Sequence, residues 1–300
     1  MSSSNILMTQ SMYNPQSGKI VYTLPSPMRF SDCEISLISS TYYNSFKNIS
    51  ATLGNNVISG HLPSGTTAGT LVAWSMTLAD GFYSISDMNN ALWNYFVLNG
   101  LYLYSSAANS NIYFAQIIVN PATYVVQLQT FLVPSAAQAV TLGWTQPAGG
   151  ALVLSTSGTN YYAGDITITA NLGLVLGIPG GCTTTSWNQA AWSNQPGGAN
   201  VNPILPYVGT LAPALNPVTS LIVRCNLVCA RIGNPVDMLC QIPLVSSYGA
   251  VDQFQASYPT FAPVVTAKYS TIELSFMDQN LNTLYFFDPE LTFTLQIKHK

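Results

Sequence analysis

Cys33-Glu34-Ile35-Ser36-Leu37-Ile38-Ser39 alternates, with Cys33, Ile35 and Leu37 set against Glu34, Ser36 and Ile38. A period of two places one set on a buried sheet face and the other outside. Runs of similar length recur at 49–53, 71–78, 112–119, 124–133, 166–169, 172–176, 220–230, 238–243, 271–277 and 292–297. Turn formers divide them, among them Asp80-Gly81, Asn120-Pro121, Gly149-Gly150, Gly233-Asn234-Pro235 and Asp278-Gln279-Asn280. Many short β-rich runs separated by Gly, Pro and Asn predict an all-β sandwich.

One segment reads as a helix. Ser84 is a good N-cap, with Asp87 three residues on to complement the dipole. Ile85, Met88, Leu92, Tyr95 and Phe96 follow at helical spacing, and Asn99-Gly100 supplies a stop. The stripe is expected to pack one face of a helix of about 15 residues against a sheet. Residues 1–30 carry Pro15, Pro25 and Pro27 without sustained periodicity, which predicts an N-terminal arm. Residues 134–165 and 179–219, the second with Trp187 and Trp192, read as long loops or parts of a small inserted lobe.

Charged residues make up only 6% of the 300, where about 25% is usual. Asn, Ser, Thr, Gln and Tyr replace them. Strong charge keeps proteins soluble and monomeric, so a chain that does without it suits burial in an assembly. The eight basic residues form no block to neutralise a run of phosphates, and direct nucleic-acid binding is not expected. The terminal Lys298-His299-Lys300 reads as a solvated tail. No run approaches the length of a membrane helix, and the start lacks the basic and apolar regions of a secretory signal. Without that signal, the sequon Asn48-Ile49-Ser50 is expected to be chance.

No reaction chemistry is expected. Cys33, Cys182, Cys225, Cys229 and Cys240 are odd in number and irregular in spacing, so they form no disulfide framework. Cys225 and Cys229 lie four apart in an apolar run and are expected on one buried face as free thiols, which fits a reducing compartment. A Ser-His-Asp triad would have to use His61, in the turn-like Gly60-His61-Leu62-Pro63, because the other histidine is the near-terminal His299. No nucleophile elbow accompanies it, and no His/Cys/Asp cluster has metal spacing. Asp288 and Glu290 read as a turn before the last strand rather than a glycosidase pair, and Asp278 likewise as turn chemistry. Catalytic, cofactor and metal residues are therefore all expected to be absent.

Several blocks, in order, resemble one family. Ser31-Asp32-Cys33-Glu34 leads into Ile38-Ser39-Ser40-Thr41-Tyr42-Tyr43-Asn44-Ser45-Phe46-Lys47-Asn48-Ile49. Asp80-Gly81-Phe82-Tyr83-Ser84-Ile85-Ser86-Asp87-Met88-Asn89 comes next, and later Pro217-Val218-Thr219-Ser220-Leu221-Ile222-Val223-Arg224-Cys225. Ser275-Phe276-Met277-Asp278-Gln279-Asn280 precedes the final strand. This pattern resembles the penton, or minor capsid, proteins of virophages and polinton-like DNA viruses, from about residue 31 to the end. Residues 134–219 depart from it. The resemblance implies a single jelly roll over 31–300 and no enzymatic residues. It implies a homopentamer at each icosahedral vertex among trimers of a larger major capsid protein, and hence a virion location. From its polar, unpatterned sequence, the arm is expected to tie the ring from beneath, so deleting residues 2–25 is expected to impair assembly but not folding. A reading in another class is a glycan-binding β-sandwich, such as a viral attachment protein or lectin, using Trp and Tyr on long loops.

Overall fold

The computed structural model describes residues 3–157, 161–185, 187–189, 204–229 and 235–299. The chain divides into two compact units, one made of Met1–Phe46 with Asn216–Lys300, the other of Lys47–Leu215. The first unit begins with β1 (Ser3–Thr9), β2 (Lys19–Phe30) and β3 (Cys33–Tyr43). The second carries β4 (Val57–Pro63), β5 (Leu71–Thr77), α1 (Ile85–Leu98), β6 (Ala115–Val119) and β7 (Val126–Thr130). It continues with α2 (Ala136–Leu142), β8 (Asp165–Ile168), α3 (Ala170–Leu176) and β9 (Ile204–Val208). The chain then returns to the first unit as β10 (Ser220–Cys225), β11 (Met238–Pro243), β12 (Val251–Gln255), β13 (Ala267–Met277) and β14 (Leu291–His299).

The first unit is a jelly roll by strand order alone. One sheet runs β1-β14-β3-β12 and the other β11-β10-β13-β2, all pairs antiparallel. Counted within the unit, these are strands one, eight, three and six, and strands five, four, seven and two. That interleaving is the double Greek key of the jelly roll. Ser31 and Asp32 carry the chain from β2 in one sheet to β3 in the other, and Asp32 takes φ 50° at the corner. Asp tolerates this left-handed conformation better than most residues.

The inner faces of the two sheets make the core. Ile35, Leu37, Tyr42, Phe293, Leu295 and Ile297 project from the first sheet, and Ile20, Leu221, Val223, Ile272, Leu274 and Phe276 from the second. Phe286, outside any strand, closes one end. Its ring meets Tyr13, Tyr42, Phe46, Phe276 and Phe293 at centroid distances of 5.0–6.5 Å. Its amide donates to Tyr13 Oη at 2.9 Å.

Alternation at Cys33–Ser39 is observed with one offset. Leu295 faces Leu37 and Thr294 faces Ser39, so Ile38 is the extra residue of a bulge. The first 30 residues are not an arm: β1 pairs with β14 over seven positions and β2 with β13 over eight. Met8, Ile20 and Leu24 bury their side chains in the core, which makes these strands part of the sandwich. The division into units also falls elsewhere than the expected insertion within 134–219, since the second unit already begins at Lys47.

In the second unit, α1 follows the expected bounds. Ser84 Oγ accepts from the Asp87 amide, and Asp87 Oδ2 accepts from the Ser84 amide, a complete capping box. These hydrogen bonds hold the Asp87 carboxyl below its ordinary range. Ile85, Met88, Leu92 and Phe96 are buried in a core with Trp74, Met76, Phe114 and Ile117. Two strand readings are corrected. Residues 172–176 belong to α3, because Thr169 caps its start through the Leu172 amide and Gly177 ends it at φ 71°. Residues 49–53 form a turn, with a bridge only at Ile49–Gly81.

Candidate functional site

Each residue singled out in the sequence has a definite place. His61 is not in a turn but in β4, opposite Asp165 of β8. A Cβ at Gly60 would meet the Asp165 carbonyl oxygen and one at Gly164 the His61 carbonyl oxygen, so glycine at both positions lets the strands close. Asp165, nearly buried, accepts from the His61 amide at 3.0 Å and lies 3.0 Å from Nδ1 through both carboxylate oxygens. This is the orienting half of a triad. No hydroxyl or thiol nucleophile bonds to that imidazole among the described residues, and an acid alone does not make a catalytic centre.

The thiols are equally quiet. Burial pushes Cys225 and Cys240 up to about 12 and Cys182 up to about 11, so these three stay protonated near neutrality. Cys225 ends β10, and the chain then turns at Asn226 and Leu227, so Cys229 does not share its buried face but is exposed. Cys33 Sγ lies 3.2 Å from His299 Nδ1, at the end of the β3–β14 ladder. Among the described residues no three His, Cys, Asp or Glu side chains are grouped to hold a metal.

Asp278 Oδ1 accepts from the amides of Asn280 and Asn282, and Asp288 Oδ1 from the Glu290 amide. Both are turn-forming carboxylates, as read from the sequence. Asn48 is buried and its Nδ2 donates to the carbonyls of Tyr83 and Leu215, so the folded sequon is closed to a glycan. The strand containing Trp187 is Trp187–Gln189, and Trp192 lies outside the described residues. No described helix is long and apolar enough to cross a membrane.

What remains is surface, and on the jelly roll it is unevenly charged. The second sheet presents two ion pairs, Lys19–Glu273 at 3.1 Å and a two-pronged Arg224–Asp237 pair at 2.7 and 2.8 Å. The outward face of the first sheet is built in cross-strand ranks. Thr9, Thr292, Thr41 and Gln253 form one across all four strands, and Leu7, Thr294, Ser39 and Gln255 the next. Asn5 and Gln296 continue the array, with Gln296 Nε2 donating to Asn5 Oδ1 at 3.2 Å, while Ser36 beyond them in the register is buried. Charge only borders this array, as Glu290 beside the first rank and, at the other end, as Lys298–Glu34 at 3.7 Å, with Lys298 Nζ also 3.6 Å from the Phe261 ring centroid. Taking an ion out of water costs several kcal/mol, whereas a hydroxyl or amide can exchange its hydrogen bonds. Such a face is suited to contact. Sequence reasoning missed it because its period-two signal was legible in β3 and β14 but not across strands distant in sequence.

No known protein family and no curated protein matches this sequence. Among solved structures, the mavirus penton protein aligns over 100% of this chain and 99% of its own, at 7% identity and TM-score 0.43. A chain of the Sputnik virophage structure aligns over 100% and 98%, at 13% identity and TM-score 0.40. With both TM-scores below 0.5, the assignment of the jelly roll rests on strand order and register.

Proposed function

We propose that this chain is a structural subunit of an icosahedral virus shell, a jelly-roll protein that closes the fivefold vertices as a homopentamer among trimers of a larger major capsid protein. The observation that carries the reading is a complete eight-stranded jelly roll whose first sheet turns an almost charge-free face outward. A two-sheet sandwich is a stiff wedge, and copies related by a closing rotation meet through one repeated heterologous contact. Packed copies of a chain with 6% charged residues repel one another little. Exposed Val245, Tyr258 and Phe287 on the loops of the same unit add apolar area for such contacts. The protein then acts in the virion by packing rather than by catalysis.

Native mass spectrometry of the purified chain, alone and with major capsid protein trimers, tests this. Five copies of the 32.2 kDa chain are expected, free or on mixing with the trimers. A monomer at every concentration that also leaves the trimers unbound overturns it.

A further inference from the structure

On the same outward face of the first sheet that carries the shell reading lies an open depression of about 480 Å³. We propose that this depression, lined by Thr9, Thr41, Tyr43, Gln253, Glu290 and Thr292, binds a neutral oligosaccharide.

Its floor is the Thr9-Thr292-Thr41-Gln253 rank, which sets hydroxyl and amide groups one strand spacing apart, about 4.8 Å. Side chains at that spacing offer donors and acceptors in a row, as the hydroxyls of a sugar chain require. Tyr43 and Val251 pair across the next position and supply an aromatic ring and an apolar patch for the C–H face of a pyranose. Glu290 adds a carboxylate that can accept from two neighbouring hydroxyls.

Of the lining polar groups, Thr9 shares a hydrogen bond with Ser11 at 3.1 Å, but four others are uncommitted. Thr41, Gln253, Glu290 and Thr292 make no side-chain hydrogen bond or ion pair to another described residue. The far end of the same face is different, since Gln296 bonds Asn5 and Lys298 pairs with Glu34. Four uncommitted polar groups therefore line the concave part of the face.

The lining selects the ligand class. It holds no Lys, Arg or His, and its one charge is negative, so sialylated, sulfated or phosphorylated ligands are disfavoured. A peptide adding as a strand pairs with the backbone of a sheet edge, whereas the depression opens on the side chains of the sheet's face. The volume falls in the range of small-ligand sites, and an open wall gives few contacts, so a single site should bind at roughly millimolar strength.

The test is an array of neutral gluco-, manno-, galacto-, fuco- and N-acetylhexosamine oligosaccharides beside sialylated and sulfated ones, with hits repeated by saturation-transfer NMR. Reproducible binding to at least one neutral series is expected. It should fall at least tenfold in Tyr43→Ala and Gln253→Ala and stay unchanged in Gln241→Ala, on the other sheet. If Tyr43→Ala loses its near-UV dichroism, Gln253→Ala and Glu290→Gln decide instead, since both side chains are exposed. No neutral binding, binding only to anionic glycans, or full binding in the decisive variants overturns the proposal. Native mass spectra of the same variants separate it from the shell reading: loss of the pentamer without any sugar binding assigns the face to contact between copies and also overturns it.

Discussion

Adjacent aromatic residues at 286 and 287 show how much a position in the fold decides. Phe286 is 3% exposed and meets five rings, whereas Phe287 is 66% exposed. Deleting a buried ring removes both its transfer free energy and its packing partners, so Phe286→Ala should lower stability by about 3–5 kcal/mol. Phe287→Ala should cost no more than about 1 kcal/mol. Urea unfolding of the two variants measures the contrast, and equal losses would mean that Phe286 does not close the core. At the same scale, Tyr42 is fully buried and stands opposite Asp252 in the register; burial first, and then that charge, raises its pKa. The phenol therefore keeps its proton and serves the core as a ring, stacked on Phe293 at an interplanar angle of 2°.

At the scale of elements, β2 and β13 run past the sandwich core as a ribbon of exposed residues. There Arg29 and Lys268 face each other directly in the register, with no described acid paired to either. Like charges opposite one another destabilise a strand pair. Lys268→Glu should therefore raise stability by about 0.5 kcal/mol at low ionic strength, with the gain shrinking as salt screens it. Denaturant titrations at two salt concentrations read this, and a loss at low salt would contradict the register. The same ribbon explains what the sequence concealed. Ile20, Tyr22 and Leu24 alternate as a strand should, but Pro25 and Pro27 follow at once and mask the pattern. Both prolines are exposed. Helix α1 was legible because cap, stripe and stop agree over one continuous stretch. In α3, Leu172 to Leu176 has the composition of a buried strand, and only Thr169 and Gly177 at its ends mark it as a helix. The His61–Asp165 pair could not be read, since its partners stand 104 residues apart.

On the scale of the whole molecule, β1 and β14 are structural strands, paired with each other over seven positions. Removing residues 2–25 would strip β1 from the edge of the first sheet and take away five of the eight paired positions between β2 and β13. The product should be insoluble or lack fixed packing, visible as a lost near-UV dichroism signal, rather than folded and merely unable to assemble. A cooperative, folded deletion product would show that these strands are dispensable. The interruption of the jelly roll also has a consequence in time. About 170 residues separate β3 from the next strand of its own sandwich, and β1 and β3 both pair with β14, the last to be made. At about 5–20 residues per second, a ribosome leaves β1, β2 and β3 without their sheet partners for roughly 10–35 s while the second unit emerges. The first sheet must wait longer still, until β14 has emerged to slot between them.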